Sequence, residues 1–388
     1  MKPLDDYSFI RGVCHNFGGD QATIERELGY AQRLQLNSTR VWLRYSQYWE
    51  DPQGYIAKLR NYIRTAHTMG ISTMPILWNG NMIDISILDE DYWPTGEKYV
   101  ADIVNALKDE EGLIMWDVMN EPCCNDYYQK APPEEQSARA DRIWKFVRHF
   151  TSFTKDTDPV NAVTVGSWHA SDIEPTADLV DVLSFHDYQR TRKRVESAYV
   201  LAAELSQRYG KPLINSELAC LCRANPYDMA LEICERHHVG WYLFELMVHG
   251  YWGDVHGIFY PDGTVRDPAI VSAILGFHRN RDAETRIAPN PNKEGHVQKA
   301  LQLVEEALTD RTAAFLHRRK STDELLEAAE YCANLLEGAE MVPMIDPPTV
   351  KILAWRKQPE EERDVRAIRA FTCCAAATCT RSSRRWRS

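Results

Sequence analysis

The chain has 388 residues and is 44% hydrophobic, which is enough to bury a large core and suits one big barrel with an extra segment better than several small domains. Its formal net charge of -11 argues against a nucleic-acid partner, which calls for a basic face to neutralise phosphates, and a neutral substrate fits better. The N-terminal stretch from Met1 to Val13 holds no apolar run of signal-peptide or membrane-span length. A soluble, cytoplasmic protein without a membrane partner is therefore expected, or a secreted one from which a leader has been removed.

Taken in chain order, short apolar runs alternate with amphipathic stretches, which is the pattern of β/α units and a parallel sheet. The runs are residues 9–17, 38–43, 71–78, 113–119, 162–167, 180–185, 212–216 and 239–246. Eight repeats predict an α/β fold of the (β/α)8 TIM-barrel kind over residues 1–282. Between the first two runs, Ile24, Leu28, Ala31 and Leu34 recur at steps of three and four and so share one helix face. After the eighth run, Pro261-Asp262-Gly263 signals a turn, and Asp267-Pro268 reads as an N-cap followed by a first-turn proline.

Beyond the barrel the pattern turns purely helical. Ser321-Thr322-Asp323-Glu324 resembles a capping box, followed by Leu325, Ala329, Cys332 and Leu336 on one face and closed by Gly338. Residues 283–370 are expected to form a C-terminal helical extension that packs on the barrel or joins copies into a homo-oligomer. Residues 371–388 lack periodicity and read as a disordered tail. The ten cysteines show no repeated metal-ligand spacing, so reduced, buried thiols are expected rather than zinc or disulfides.

Barrel enzymes carry their chemistry where strands run out into loops. Here those positions hold His15-Asn16, Arg40 with Arg44, Trp78-Asn79, Asn120-Glu121-Pro122, Trp168-His169, His186-Asp187-Tyr188, Glu217 and Phe244-Glu245. Two of these glutamates end the fourth and seventh runs. Retaining glycoside hydrolysis needs one carboxylic acid and one carboxylate about 5 to 5.5 Å apart, and two strand-end glutamates facing each other across a barrel mouth meet that demand.

The segments Trp116-Asp117-Val118-Met119-Asn120-Glu121-Pro122 and Leu213-Ile214-Asn215-Ser216-Glu217 resemble the acid/base and nucleophile motifs of clan A retaining glycoside hydrolases, most closely family 5 and its relatives. The resemblance extends from about Ile10 to His278. It implies a double displacement with Glu121 as acid/base and Glu217 as nucleophile, acting on β-linked neutral sugars such as β-glucan or β-mannan, in a cellulase-like enzyme. It further implies that Arg40 supports the nucleophile, that Asn120 binds the sugar 2-hydroxyl, and that Tyr188 of the His186-x-Tyr188 pair donates to Glu217.

Two positions depart from the family pattern. The third strand ends in Trp78-Asn79 where the family has a histidine, and Phe244 stands where the family has a platform tryptophan. Glu245 is then a candidate hydroxyl ligand, and Trp78, Trp168 or Trp252 a candidate stacking face. Trp42, Trp49, Trp93 and Trp116 read as packing or loop anchors. No nucleotide-binding loop or serine-hydrolase elbow occurs, so no cofactor and no metal are expected. The alternatives that the sequence leaves open are a transglycosidase using the same site and a carbohydrate-binding barrel without turnover.

Overall fold

A computed structural model describes residues 3–220 and 227–275. The expectations for the helical extension at 283–370 and the tail at 371–388 lie outside the described residues. The eight expected runs all become parallel strands: β1 Arg11–His15, β2 Ser38–Trp42, β3 Ser72–Asn79, β4 Met115–Asn120, β5 Ala162–Gly166, β6 Leu183–Asp187, β7 Leu213–Leu218 and β8 Gly240–Leu243. They hydrogen-bond in the order β5-β4-β3-β2-β1-β8-β7-β6. The remaining seam between β5 and β6 is closed by a parallel bridge between Ser167 and Phe185, with the His186 amide donating to the Ser167 carbonyl at 2.8 Å. The architecture is a (β/α)8 barrel.

The helices form where the sequence periodicity places them. In Gln21–Arg33 the Asp20 side chain caps the first turn by accepting from the Thr23 amide, and Ile24, Leu28 and Ala31 face the barrel. Burying the larger of these side chains, Ile24 and Leu28, contributes roughly 1.5 to 3 kcal/mol each. The helix stops at Leu34, whose amide donates to the Ala31 carbonyl while the Gln35 amide donates to that of Gln32. Helix Pro268–Ile274 begins as the Asp267-Pro268 signal requires, with Asp267 accepting from the Ala269 amide. Among the described residues no helix is long and apolar enough to cross a membrane.

Two apolar clusters fill the fold. One plugs the barrel interior and includes Ile10, Cys14, Met74, Met115, Ala162, Val182, Ile214 and Tyr242. The other, far larger, lies between the strands and the helices that cover them. Trp78 belongs to the second cluster, where it packs against Tyr45, Tyr99, Phe146 and Phe150 with ring centroids 5.0 to 5.2 Å away. The expectation that Trp78 contacts substrate is thereby corrected: strand alternation turns its ring outward, away from the barrel mouth.

Strict alternation fails in two strands at the mouth, and the failures shape the site. Pairing registers shift between Asp117 and Asn120 in β4 and between Asn215 and Leu218 in β7, where the consecutive Phe185 and His186 of β6 pair with Asn215 and Glu217. In β4 the break lets Val118 and Met119 both join the outer cluster. Asp117 and Asn120, three residues apart, therefore both reach the same inward-facing guanidinium. Such irregularities re-aim side chains at the rim of a barrel.

Candidate active site

The site is organised around Arg40, which is fully buried on β2. Its Nε and Nη2 both donate to Oδ2 of Asp117, at 2.9 and 2.8 Å, and Nη2 also donates to Oδ1 of Asn120 at 2.8 Å. Nη1 donates to Oε1 of Glu217 at 2.7 Å. The second oxygen of Asp117 accepts from the Gly166 amide at 3.0 Å. A buried guanidinium is tolerable only when its charge and its planar fork of donors are met in this way. Gly166 is part of the arrangement, because a Cβ there would stand 2.6 Å from Arg40 Nη2 and 2.9 Å from Asp117 Oδ2.

Opposite Glu217, Glu121 follows the last residue of β4 with φ at 44°, in the left-handed region. Side chains other than glycine enter that region at a cost of order 1 to 3 kcal/mol, and such strain gathers at functional sites. The surroundings fix the conformation. Its amide donates to the Gly166 carbonyl at 2.7 Å, and its carbonyl accepts from the Cys124 amide at 3.0 Å. The backbone of Gly80 lies so close that a Cβ there would collide with the Glu121 carbonyl oxygen.

The two carboxyls converge. One oxygen of Glu121, one oxygen of Glu217 and a ring nitrogen of His186 all lie within 4.8 Å of one another. His186 Nδ1 stands 2.7 Å from Glu121 Oε1 and 3.7 Å from Glu217 Oε2. Its Nε2 meets Ser216 Oγ at 3.1 Å, and that hydroxyl meets Ser184 Oγ at 2.6 Å. Tyr188 donates its hydroxyl to Glu217 Oε2 at 3.1 Å. Asn120 Nδ2 donates to Asn79 Oδ1 at 3.1 Å. With its oxygen already accepting from Arg40, Asn120 has one N–H left to offer a ligand.

Burial pushes Glu121 above the usual carboxylate range, opposed by hydrogen bonds from Asn81 and Cys124 and by the charge of Arg40. Burial pushes Glu217 up as well, opposed by His186 and Arg40. Only Glu217 takes a direct hydrogen bond from the guanidinium, which favours the ionised form of Glu217 over that of Glu121. Burial lowers His186 to about 4, which makes its imidazole neutral near pH 7. Three of the groups together could coordinate a cation, but each already has a hydrogen-bond partner that accounts for its position.

The structure gathers Arg40, Asn79, Asn120, Glu121, His186, Tyr188 and Glu217 into one connected network. Phe244 and Glu245 follow β8 beside it. The Phe244 ring meets Trp42 edge-on at 5.6 Å, and Trp42 lies 5.1 Å from the Arg40 guanidinium. Trp168 is half-buried and stacks on His169 at 4.6 Å. Trp252 is exposed and 6.0 Å from His256, which in turn contacts Phe244 and Tyr188.

Sequence reasoning missed Asp117, Ser216, Ser184 and Trp42. Asp117 had a signal, being a lone acid inside an otherwise apolar strand, which is costly without a buried partner. Trp42 had one too, since it lies two residues beyond Arg40 on the same strand and therefore on the same face. The serines carried none.

Fold and site together define a (β/α)8 barrel with a paired-carboxylate centre at the mouth ends of its strands, resembling clan A glycoside hydrolases of family 5 and its relatives. No protein-family model matches the chain. A mannan endo-1,4-beta-mannosidase from Mytilus edulis is 29% identical over an alignment 225 positions long that covers 46% of this chain and 57% of that relative. The chain thus matches a little over half the length of that relative. Among solved structures, the endo-1,4-beta-mannanase from Rhizomucor miehei aligns with a TM-score of 0.56 at 15% identity, covering 71% of this chain and 95% of that one. The endo-beta-1,4-mannanase from Thermotoga petrophila aligns with a TM-score of 0.54 at 17% identity, covering 71% and 77% respectively. At these identities the structural likeness establishes the barrel fold.

Proposed function

We propose that this chain is a retaining β-glycoside hydrolase that cleaves β-mannosidic linkages, with Glu217 as nucleophile and Glu121 as acid/base. The observation that carries the reading is the approach of the two carboxyls to within 4.8 Å. Retaining enzymes hold theirs about 5 to 5.5 Å apart, whereas inverting enzymes need about 6.5 to 9.5 Å to admit a water. The mannan-cleaving relative supports the choice of sugar.

Glu217 attacks the anomeric carbon while Glu121 gives its proton to the departing oxygen, and a glycosyl ester forms on Glu217. Arg40 and Tyr188, bonded to opposite oxygens of Glu217, hold it ionised and aimed. Before the first step the Nδ1–H of neutral His186 donates to Oε1 of Glu121 and its Nε2 accepts from Ser216, which leaves the acid proton on Oε2 of Glu121, free to go to the departing oxygen. In the second step Glu121, now a carboxylate, deprotonates the water that releases the sugar. The remaining N–H of Asn120 is placed to bond the sugar 2-hydroxyl more strongly as the ring gains positive charge.

The test is a panel of aryl β-glycosides with β-1,4-mannan and β-glucan, run beside Glu121→Gln, with product anomers followed by NMR. Release of mannosyl products with retained configuration is expected. Saturable oligosaccharide binding without turnover across the panel would assign a non-catalytic carbohydrate-binding barrel instead.

A further inference from the structure

The proposed chemistry uses two carboxyls, yet a third lies beside them. Glu245 follows β8 directly and is only 7% exposed. Among the described residues its carboxyl takes part in no hydrogen bond. Among the described residues the basic group in reach is His249, whose Nδ1 is 3.9 Å away and 3.1 Å from the Met247 carbonyl oxygen. Arg40 offers no help, because its fork is committed to Asp117, Asn120 and Glu217. The negative charge of Glu217 is felt at Glu245, and Glu245 is felt in turn at Cys14 and Tyr227. Its flank is apolar: the neighbouring Phe244 ring packs edge-on against Trp42 and His256, at 5.6 and 4.9 Å.

A buried polar group without a partner is costly, and native folds keep few of them. The Glu245 side chain keeps 10% of its surface exposed and is bonded to no described group, so its carboxyl is open to a ligand that completes it. A sugar hydroxyl both donates and accepts and so matches either form of a carboxyl, whereas an anionic sugar would bring a further negative charge beside Glu217.

We propose that Glu245 is a specificity-determining residue whose carboxyl hydrogen-bonds a ring hydroxyl of the neutral sugar seated between Glu121 and Glu217. The inference rests on the glycoside hydrolase reading. Burial, with the charge of Glu217, holds Glu245 up to about 8, so that it meets the hydroxyl as a neutral acid near pH 7. A neutral acid has an O–H to donate, and a carboxamide reproduces that donor.

The experiment compares wild type, Glu245→Gln and Glu245→Leu on 4-nitrophenyl β-D-mannopyranoside and its four monodeoxy analogues. For Glu245→Leu, kcat/KM on the parent should fall by roughly tenfold or more, while Glu245→Gln stays within about threefold of wild type. One deoxy position should cost wild type heavily and cost Glu245→Leu nothing further, the other three keeping their wild-type effects. The Tm of Glu245→Leu should rise, which a merely structural role would not produce. Wild-type kcat/KM in Glu245→Leu, or a loss spread evenly over all four analogues, would overturn the proposal. Calorimetric titration of mannobiose into wild type and Glu245→Leu separates the two readings. Absence of turnover with tighter binding by wild type removes the hydrolase but keeps the hydroxyl contact; turnover with equal binding and equal kcat/KM does the reverse.

Discussion

Arg40 and Glu217 are joined by a hydrogen bond of 2.7 Å in which the guanidinium has no exposure to water. The same guanidinium holds Asp117 on its other edge, so one positive charge positions two buried acids. Arg40→Met leaves both acids without their cation. Removing one partner of a buried ion pair typically costs about 3 to 5 kcal/mol, and a loss of that size is expected in denaturant unfolding. In whatever fraction folds, Glu217 rises further without the guanidinium, and the ascending limb of the kcat/KM profile moves to higher pH.

Glu217→Ala should lower kcat by on the order of 10⁴-fold. Azide should restore part of the rate and give a product of inverted configuration, because the small anion enters from the face the carboxylate vacated. Wild-type rates in this variant would transfer the nucleophile's role to another residue.

The pH dependence on the alkaline side follows from Glu121. In the proposed mechanism its working form is the acid, and burial raises its pKa, so kcat/KM should fall as pH climbs through that raised value. In Glu121→Gln that descending limb should vanish. The residual activity should favour substrates with good leaving groups such as 4-nitrophenolate, which depart without a proton.

Glu245 makes a separate prediction for stability. Its folded pKa of about 8 lies above the ordinary carboxyl value of 4.5, so protonation favours the folded state. That contribution is complete below pH 4.5 and is lost as pH rises towards 8, by on the order of 5 kcal/mol at most. The Tm of Glu245→Gln should therefore decline less than that of wild type between pH 5 and pH 8, as scanning calorimetry would register.

Gly80→Ala puts a methyl group into the Glu121 carbonyl and must push the acid from its place. A displacement near 1 Å costs on the order of 10²-fold in rate. A drop in kcat with little change in secondary structure by circular dichroism is expected. Trp78→Phe is the contrasting case: it should lower Tm by thinning the layer beneath the helices and leave KM unchanged.

The barrel was legible because its eight apolar runs and the helix faces between them are repeated many times, so no single ambiguous stretch decides the fold. That Glu121, Glu217, Arg40 and the His186/Tyr188 pair would meet at the mouth was legible because motif and strand end coincide at each. Trp78 misled because a residue near a strand end reaches either the mouth or the helical layer depending on which face it takes. Sequence position alone does not tell the face when registers shift nearby. The Ser184–Ser216–His186 chain could not be read at all, since serines within strands carry no mark of what lies opposite them.

The stretch between Asp117 and Asn120 carries a lesson for anyone who would rebuild this molecule. Two consecutive outward-facing side chains, Val118 and Met119, are what allow acid and amide to clasp one arginine. An idealised redesign that restored an even pleat to this strand would swing Asn120 away from that arginine. Such a scaffold would gain in regularity and lose the means to hold its reacting groups together.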